Sequence, residues 1–160
     1  MEKIPDIVHE SWHKYLQPLF DDSRMEFIKY ELLPKSNFLP EAKNIFRVFA
    51  MPIYDIRVVI LGQDPYPKPG DCMGLAFVVE KGRKIPKSLQ IIYKEILTNS
   101  LEYAHSVQVG TTTHHFVDAN LWEEQGIFLL NTALTVETGN SGSHLRHWKW
   151  FTKEVLKIIS

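Results

Sequence analysis

The amino-acid sequence predicts a three-layer α/β/α fold around a short parallel sheet. Three apolar runs carry that expectation, at residues 57–62, 74–79 and 126–131. None has a polar face, which is the pattern of strands covered on both sides. Helically spaced stretches separate and flank them. With 160 residues, 44% hydrophobic and 23% charged, the chain can bury one core without disulfide or metal staples. Residues 1–160 are therefore expected to form a single domain.

Taken in order, Ser11 can cap a helix whose apolar stripe is Trp12, Tyr15, Leu16, Leu19 and Phe20. Ser23 can cap a second, with Phe27, Ile28, Leu32 and Leu33, ending at or before Pro34. Pro40 suits a first helical position, ahead of Ala42, Ile45, Phe46 and Phe49. The first strand, 57–62, breaks at Gly62, and Pro65, Pro67, Pro69 and Gly70 exclude regular structure after it. The connector of about a dozen residues is just long enough to begin a parallel neighbour at 74–79. Ser88 caps a helix to about Asn99 with Leu89, Ile92, Ile96 and Leu97 inward. Residues 105–115 are polar, Thr-rich and patternless, and read as a surface loop. A short helix at 120–124 stops at Gly126, and 126–131 is the third strand. A loop with Gly139, Ser141, Gly142 and Ser143 leads to a last helix over 147–159, striped by Trp148, Phe151, Val155 and Ile158.

The bulk numbers exclude several function classes. A formal net charge of −1 gives no global basic field, which argues against a non-specific DNA coat while leaving room for a local groove. One cysteine, Cys72, excludes an internal disulfide framework and fits a reducing compartment. No Cys/His set has zinc spacing, and His114-His115 stand as a lone pair in a polar run. No apolar run is long enough to span a membrane, and the N-terminus has no signal-peptide core. An intracellular protein is expected, cytoplasmic or, in a eukaryote, nuclear.

Chemistry concentrates at one end of the predicted sheet. Asp64 sits in the rigid break after the first strand, where open α/β sheets bind ligands; on its own it is a turn residue or a reactive carboxylate. Asn131 closes a wholly apolar strand, so its amide either caps the next turn or faces a ligand with a complementary edge. Phe77 alone reads as core. Lys81, Arg83, Lys84 and Lys87 make the most basic loop in the chain, either solvated or anion-binding.

The run Gly62-Gln63-Asp64-Pro65-Tyr66, with Gly74-Leu75-Ala76-Phe77 shortly after, resembles the signature of family 1 uracil-DNA glycosylases. Asn131, Thr132, Leu134 and Thr135 extend the likeness, as do Ile85-Pro86-Lys87-Ser88-Leu89 and Ser143-His144 with Trp148, so it covers residues 40–158. The resemblance implies removal of uracil from DNA by hydrolysis of the N-glycosidic bond after base flipping. It makes Asp64 the group that orients water and stabilises an oxocarbenium-like sugar. Phe77 becomes the platform under the base, Tyr66 the ring that collides with a thymine methyl, and Asn131 the reader of the uracil edge. Gln63 contributes through a turn whose backbone amides face the base O2. Ser88 and Lys87 contact a DNA phosphate, and Ser143-His144 carries no assigned chemistry. No metal or cofactor is implied, and the partner is uracil-containing DNA, single- or double-stranded.

Together with the right-handed crossover rule, the likeness puts the strands in spatial order 2-1-3. Two departures stand out. Pro67 replaces a histidine usual in the family. The family continues into a fourth strand and a His-Pro-Ser-Pro loop, which supplies a histidine for the uracil anion and a leucine wedge. None of the seven histidines here falls at that place. The chain is thus expected to be either a C-terminally incomplete piece of a longer protein or a natural short form, to lack a few kcal/mol of anion stabilisation, and either to self-associate through a bare edge on strand 126–131 or to be marginally stable. A different reading is a non-catalytic uracil- or DNA-binding module on the same fold. A flavodoxin-like nucleotide binder is disfavoured, because no Gly-rich phosphate loop is present.

Overall fold

Two short helices open the chain, α1 (His13–Phe20) and α2 (Ser23–Phe27). The computed structural model describes residues 3–79, 82–99, 105–109, 112–116 and 120–160. Trp12, Leu16 and Phe20, four residues apart, are fully buried, which is the spacing that puts one stripe of a helix on a core. The start differs from expectation. A 3-10 turn at Glu10–Trp12 precedes α1 with the His9 ring as its cap, and the Ser11 hydroxyl instead accepts the Ile53 N–H at 3.1 Å. Asp22, not Ser23, caps α2, accepting the Arg24 N–H at 2.8 Å. A charged acceptor suits the positive end of a helix.

A two-residue strand, β1 (Phe38–Leu39), follows. The helix expected over 42–49 forms as 3-10 turns at Ala42–Asn44 and Arg47–Ala50, which still bury Ile45, Phe46, Val48 and Phe49. The remaining elements are β2 (Val58–Gly62), α3 (Lys87–Asn99), β3 (His105–Val109), β4 (Thr112–Phe116), α4 (Asn120–Glu124), β5 (Ile127–Asn131), β6 (Val136–Glu137) and α5 (Leu145–Ile159). The surface loop expected over 105–115 is an antiparallel hairpin, β3–β4. Val107, Val109, Thr112 and Thr113 suit strands, but so polar a stretch of sequence gives no periodic apolar signal. Ile96 and Leu97, expected inward, lie outside the described side chains.

β2 and β5 pair in parallel from Val58↔Ile127 to Gly62↔Asn131, and β1 pairs antiparallel with β6. Phe128 of β5 anchors the core. It stacks on Trp12 (centroids 5.5 Å apart) and meets Phe49 edge-on at 5.7 Å. Phe49 in turn meets Phe151 of α5 at 5.9 Å. These are the offset and edge-to-face geometries that aromatic quadrupoles favour.

The α/β architecture stands, but one detail of the sheet is corrected. Residues 74–79 are not a regular strand. Gly74 has φ +79° and Phe77 φ +63°, so the segment turns instead of extending. A Cβ on Gly74 would lie 2.0 Å from the Asn44 carbonyl oxygen, and only glycine permits that approach at this φ. The Ala76 N–H donates to Leu129 O of β5 at 2.9 Å. The parallel sheet of the described residues is the β2–β5 pair, which keeps the first and third expected strands as neighbours, and residues 74–79 form no strand that would complete the order 2-1-3.

Phe128, Leu129 and Leu130 are at most 1% exposed, whereas Val58 and Leu61 of β2 are 52% and 46% exposed, so the first apolar run is not covered on both sides as its composition predicts. No helix among the described residues is long and apolar enough to cross a membrane.

Candidate functional site

A cavity of about 240 Å³ opens at the C-terminal ends of β2 and β5, where α/β sheets place ligands. Gly62, Gln63, Asp64, Pro65, Tyr66, Pro67, Leu75, Phe77, Ser88, Asn131 and Ser141 line it. The geometry gathers Gln63, Asp64, Tyr66, Phe77, Ser88 and Asn131 from the sequence reading into this one space. Lys87 is exposed at the first position of α3 and does not line it.

Asn131 lines the cavity from the end of β5. It is only 5% exposed, yet its amide has no hydrogen-bond partner among the described residues, while its backbone oxygen accepts from Thr152 Oγ1 at 3.4 Å. A buried amide left unpaired is costly unless something else supplies the bonds. Gly62 lies directly across the ladder, and a Cβ there would sit 2.3 Å from Asn131 Oδ1. Glycine at this position gives the amide its room.

Phe77 is held at positive φ, a conformation strained for an aromatic residue. Its support comes from the turn below. Arg47 donates to Met73 O at 3.3 Å and to Glu123 Oε2 at 3.1 Å. Burial holds the Glu123 carboxyl above the usual range, against the pull of Arg47. A strained ring lining a cavity is a feature the surroundings must over-determine.

Asp64 is fixed by three donors. Gln63 Nε2 donates to Oδ1 at 3.1 Å, the Ser141 hydroxyl lies 3.1 and 3.2 Å from the two oxygens, and the Gly142 N–H donates to Oδ2 at 2.5 Å. Gln63 Nε2 also donates to Ser141 Oγ at 3.2 Å. The Gln63 side chain therefore serves Asp64 directly. Ser141 and Gly142 were missed by sequence reasoning, where they counted only as loop residues. A usable signal was present, since a run of small polar residues just after the third apolar strand falls at the same sheet end as Asp64.

The Ser141 loop rests on a buried relay. The Trp148 indole N–H donates to Thr135 Oγ1 at 2.7 Å, and Thr135 Oγ1 lies 2.9 Å from His144 Nδ1. With the indole donating, the Thr135 proton is available to His144 Nδ1, which then accepts. His144 is 4% exposed, and its pKa is lowered first by burial and then by His147, against pulls from Glu137 and Asp64. Ser143 Oγ accepts the Glu137 N–H at 2.9 Å. Ser143, His144 and Trp148 thus brace the loop that holds Asp64. Pro67 carries no N–H to donate, but its carbonyl accepts from the Gly139 N–H at 2.8 Å, joining the same loop.

Tyr66 reaches across the cavity mouth, its hydroxyl 3.1 Å from Ser88 Oγ. Burial raises the pKa of the phenol, and the Ser88 bond opposes that shift. The basic loop is less open than its composition suggests. Arg83 donates to Gly70 O at 3.1 Å and to Pro69 O at 2.6 Å, and pairs with Asp71 at 3.3 Å. Lys84 and Lys87 are exposed, and Lys81 lies outside the described residues. Among the described residues no group of three or more His, Cys, Asp or Glu side chains is arranged to hold a metal ion.

Residues 50–159 match the model of the Uracil DNA glycosylase superfamily. The chain is 40% identical over 163 residues to a protein named uracil-DNA glycosylase from Corynebacterium efficiens, covering 99% of this chain and 64% of that one. The corresponding figures for the uracil-DNA glycosylase of Borrelia turicatae are 43% over 160 residues, 96% and 68%. The chain thus spans about two thirds of the length of the curated relatives it matches. The crystal structure of mimivirus uracil-DNA glycosylase superposes with a TM-score of 0.79 at 24% identity, over 96% of this chain and 56% of that one.

Proposed function

The chain belongs to the uracil-DNA glycosylase superfamily, and on that premise we propose that its cavity holds a uracil flipped out of DNA and that the site hydrolyses the N-glycosidic bond. The observation that carries this reading is the amide of Asn131, which lines the cavity on a residue 5% exposed and has no hydrogen-bond partner among the described residues. A carboxamide offers one donor and one acceptor in a fixed plane. Uracil presents the complement, O4 as acceptor and N3–H as donor. Cytosine, with an amino group and a bare N3, reverses both and leaves buried groups unpaired, which discriminates strongly.

Phe77 supplies the stacking face, worth roughly 1–3 kcal/mol for a base on an aromatic ring. Tyr66 closes the side where a 5-methyl group would project. Asp64 acts on the sugar. A carboxylate offers about four lone-pair sites, and the donors from Gln63, Ser141 and Gly142 occupy three. The remaining direction is available to orient a water, and the negative charge opposes the positive charge developing on the sugar. Because the donors are preplaced, little reorganisation is needed in the transition state. Lys87 and Ser88, at the first turn of α3, suit a DNA phosphate, which positions the strand without reading sequence.

The test is uracil release from a single-stranded oligonucleotide carrying one uracil. Release by this chain, abolished in Asp64→Asn and lowered about a hundredfold or more in Asn131→Ala, supports the reading. Binding of uracil without release would leave a uracil-binding module. Failure to bind uracil in preference to thymine and cytosine would refute the assignment of the cavity.

A further inference from the structure

Ser88 is assigned above to a phosphate, but its oxygen lies 3.1 Å from the Tyr66 hydroxyl and both residues line the cavity. Tyr66 sits between Pro65 and Pro67, so its backbone is stiff and the freedom left to the ring is in its side-chain torsions. Among the described residues the Ser88 bond is the only polar tether on that ring. A methyl group is excluded sterically only while the ring holds its place. A ring free to tilt outward would yield the space.

We infer that Ser88 is a specificity-determining residue that acts through Tyr66, fixing the ring that excludes 5-methylated pyrimidines. This rests on the reading of the cavity as a uracil site. The two roles of Ser88 are compatible. Its oxygen accepts the Tyr66 proton, and its own proton remains available to an anionic oxygen at the start of α3. In that arrangement the bonds polarise one another in the favourable direction. The half-buried phenol, its pKa raised by desolvation, keeps its proton at neutral pH, as the donor role requires.

The experiment uses free bases, so that no phosphate is involved. Uracil and thymine are titrated separately into the chain, and the ratio of their dissociation constants is read by NMR for wild type, Ser88→Ala, Ser88→Thr, Tyr66→Phe, Tyr66→Ala and the Ser88→Ala/Tyr66→Phe double variant. The ratio is expected to fall about fivefold in Ser88→Ala, the factor that one half-exposed hydrogen bond carries. Tyr66→Phe should show the same loss, the double variant no further loss, and Ser88→Thr should retain the wild-type ratio. A wild-type ratio in Ser88→Ala, beside a relaxed one in Tyr66→Ala, would overturn the inference and leave the uracil site standing. A wild-type chain that does not prefer uracil to thymine would instead overturn the site itself.

Discussion

Replacing Gly62 by alanine tests the central claim about Asn131. The added Cβ would lie 2.3 Å from Asn131 Oδ1 and 3.0 Å from Ala76 Cβ. The first distance is roughly 1 Å inside ordinary van der Waals contact. Backbone strain is not the issue, because Gly62 is an ordinary strand residue with a pleated conformation open to alanine. Either β2 and β5 separate or the amide swings away. The amide has no hydrogen-bond partner to hold it among the described residues, so it yields first. The stability cost should then sit near the low end of overpacking, about 1 kcal/mol, a drop in Tm of roughly 2–4 °C. The functional cost should be much larger, since a displacement of about 1 Å in a positioning group costs on the order of a hundredfold. Thermal unfolding and kcat/KM on a uracil-containing oligonucleotide, measured on the same preparations, separate the two. A Gly62→Ala protein within twofold of wild-type activity would show that the Asn131 amide does not read the base. A collapse of Tm with proportionate loss of activity would mean that the sheet, not the amide, gives way.

Three further outcomes follow from the geometry. Ser141→Ala removes one donor from Asp64 and the acceptor of Gln63; kcat should fall by about tenfold or more with KM nearly unchanged, since the loss is felt mainly in the transition state. His144 has a folded pKa below its ordinary 6.5, so the unfolded state binds more protons as pH falls through that value. Stability should therefore be full above about pH 7 and decline on acidification below 6.5, with a smaller decline in His144→Gln, as Tm measured at pH 7.5 and 5.5 will show. The Cys72 thiol is pushed up to about 11, chiefly by burial. Native protein at pH 8 should alkylate roughly a hundredfold more slowly than a free cysteine, and rapid labelling under those conditions would contradict the burial.

The residues that act through local pattern were legible in the sequence. The apolar runs at 58–62 and 127–131, the four-residue spacing of Trp12, Leu16 and Phe20, and the stripe of α5 need only the period of the backbone to be read. That Asp64, Tyr66, Phe77 and Asn131 line one cavity was legible too, because their motif resembles a known family and because strand ends are where such folds bind ligands. Other features became visible only in three dimensions. The segment 74–79 is as apolar as a strand, yet Gly74 and Phe77 take left-handed conformations, and at Gly74 the Asn44 carbonyl leaves no room for a Cβ. Composition cannot separate these cases, since an apolar turn packed on a sheet and a doubly covered strand carry the same apolar run. Ser141 meets Asp64 across 77 positions, and Thr135 joins His144 and Trp148 into one relay. Periodicity reports how a segment faces the core. A hydrogen bond between distant side chains depends on where the intervening chain returns, and only the packed tertiary structure decides that.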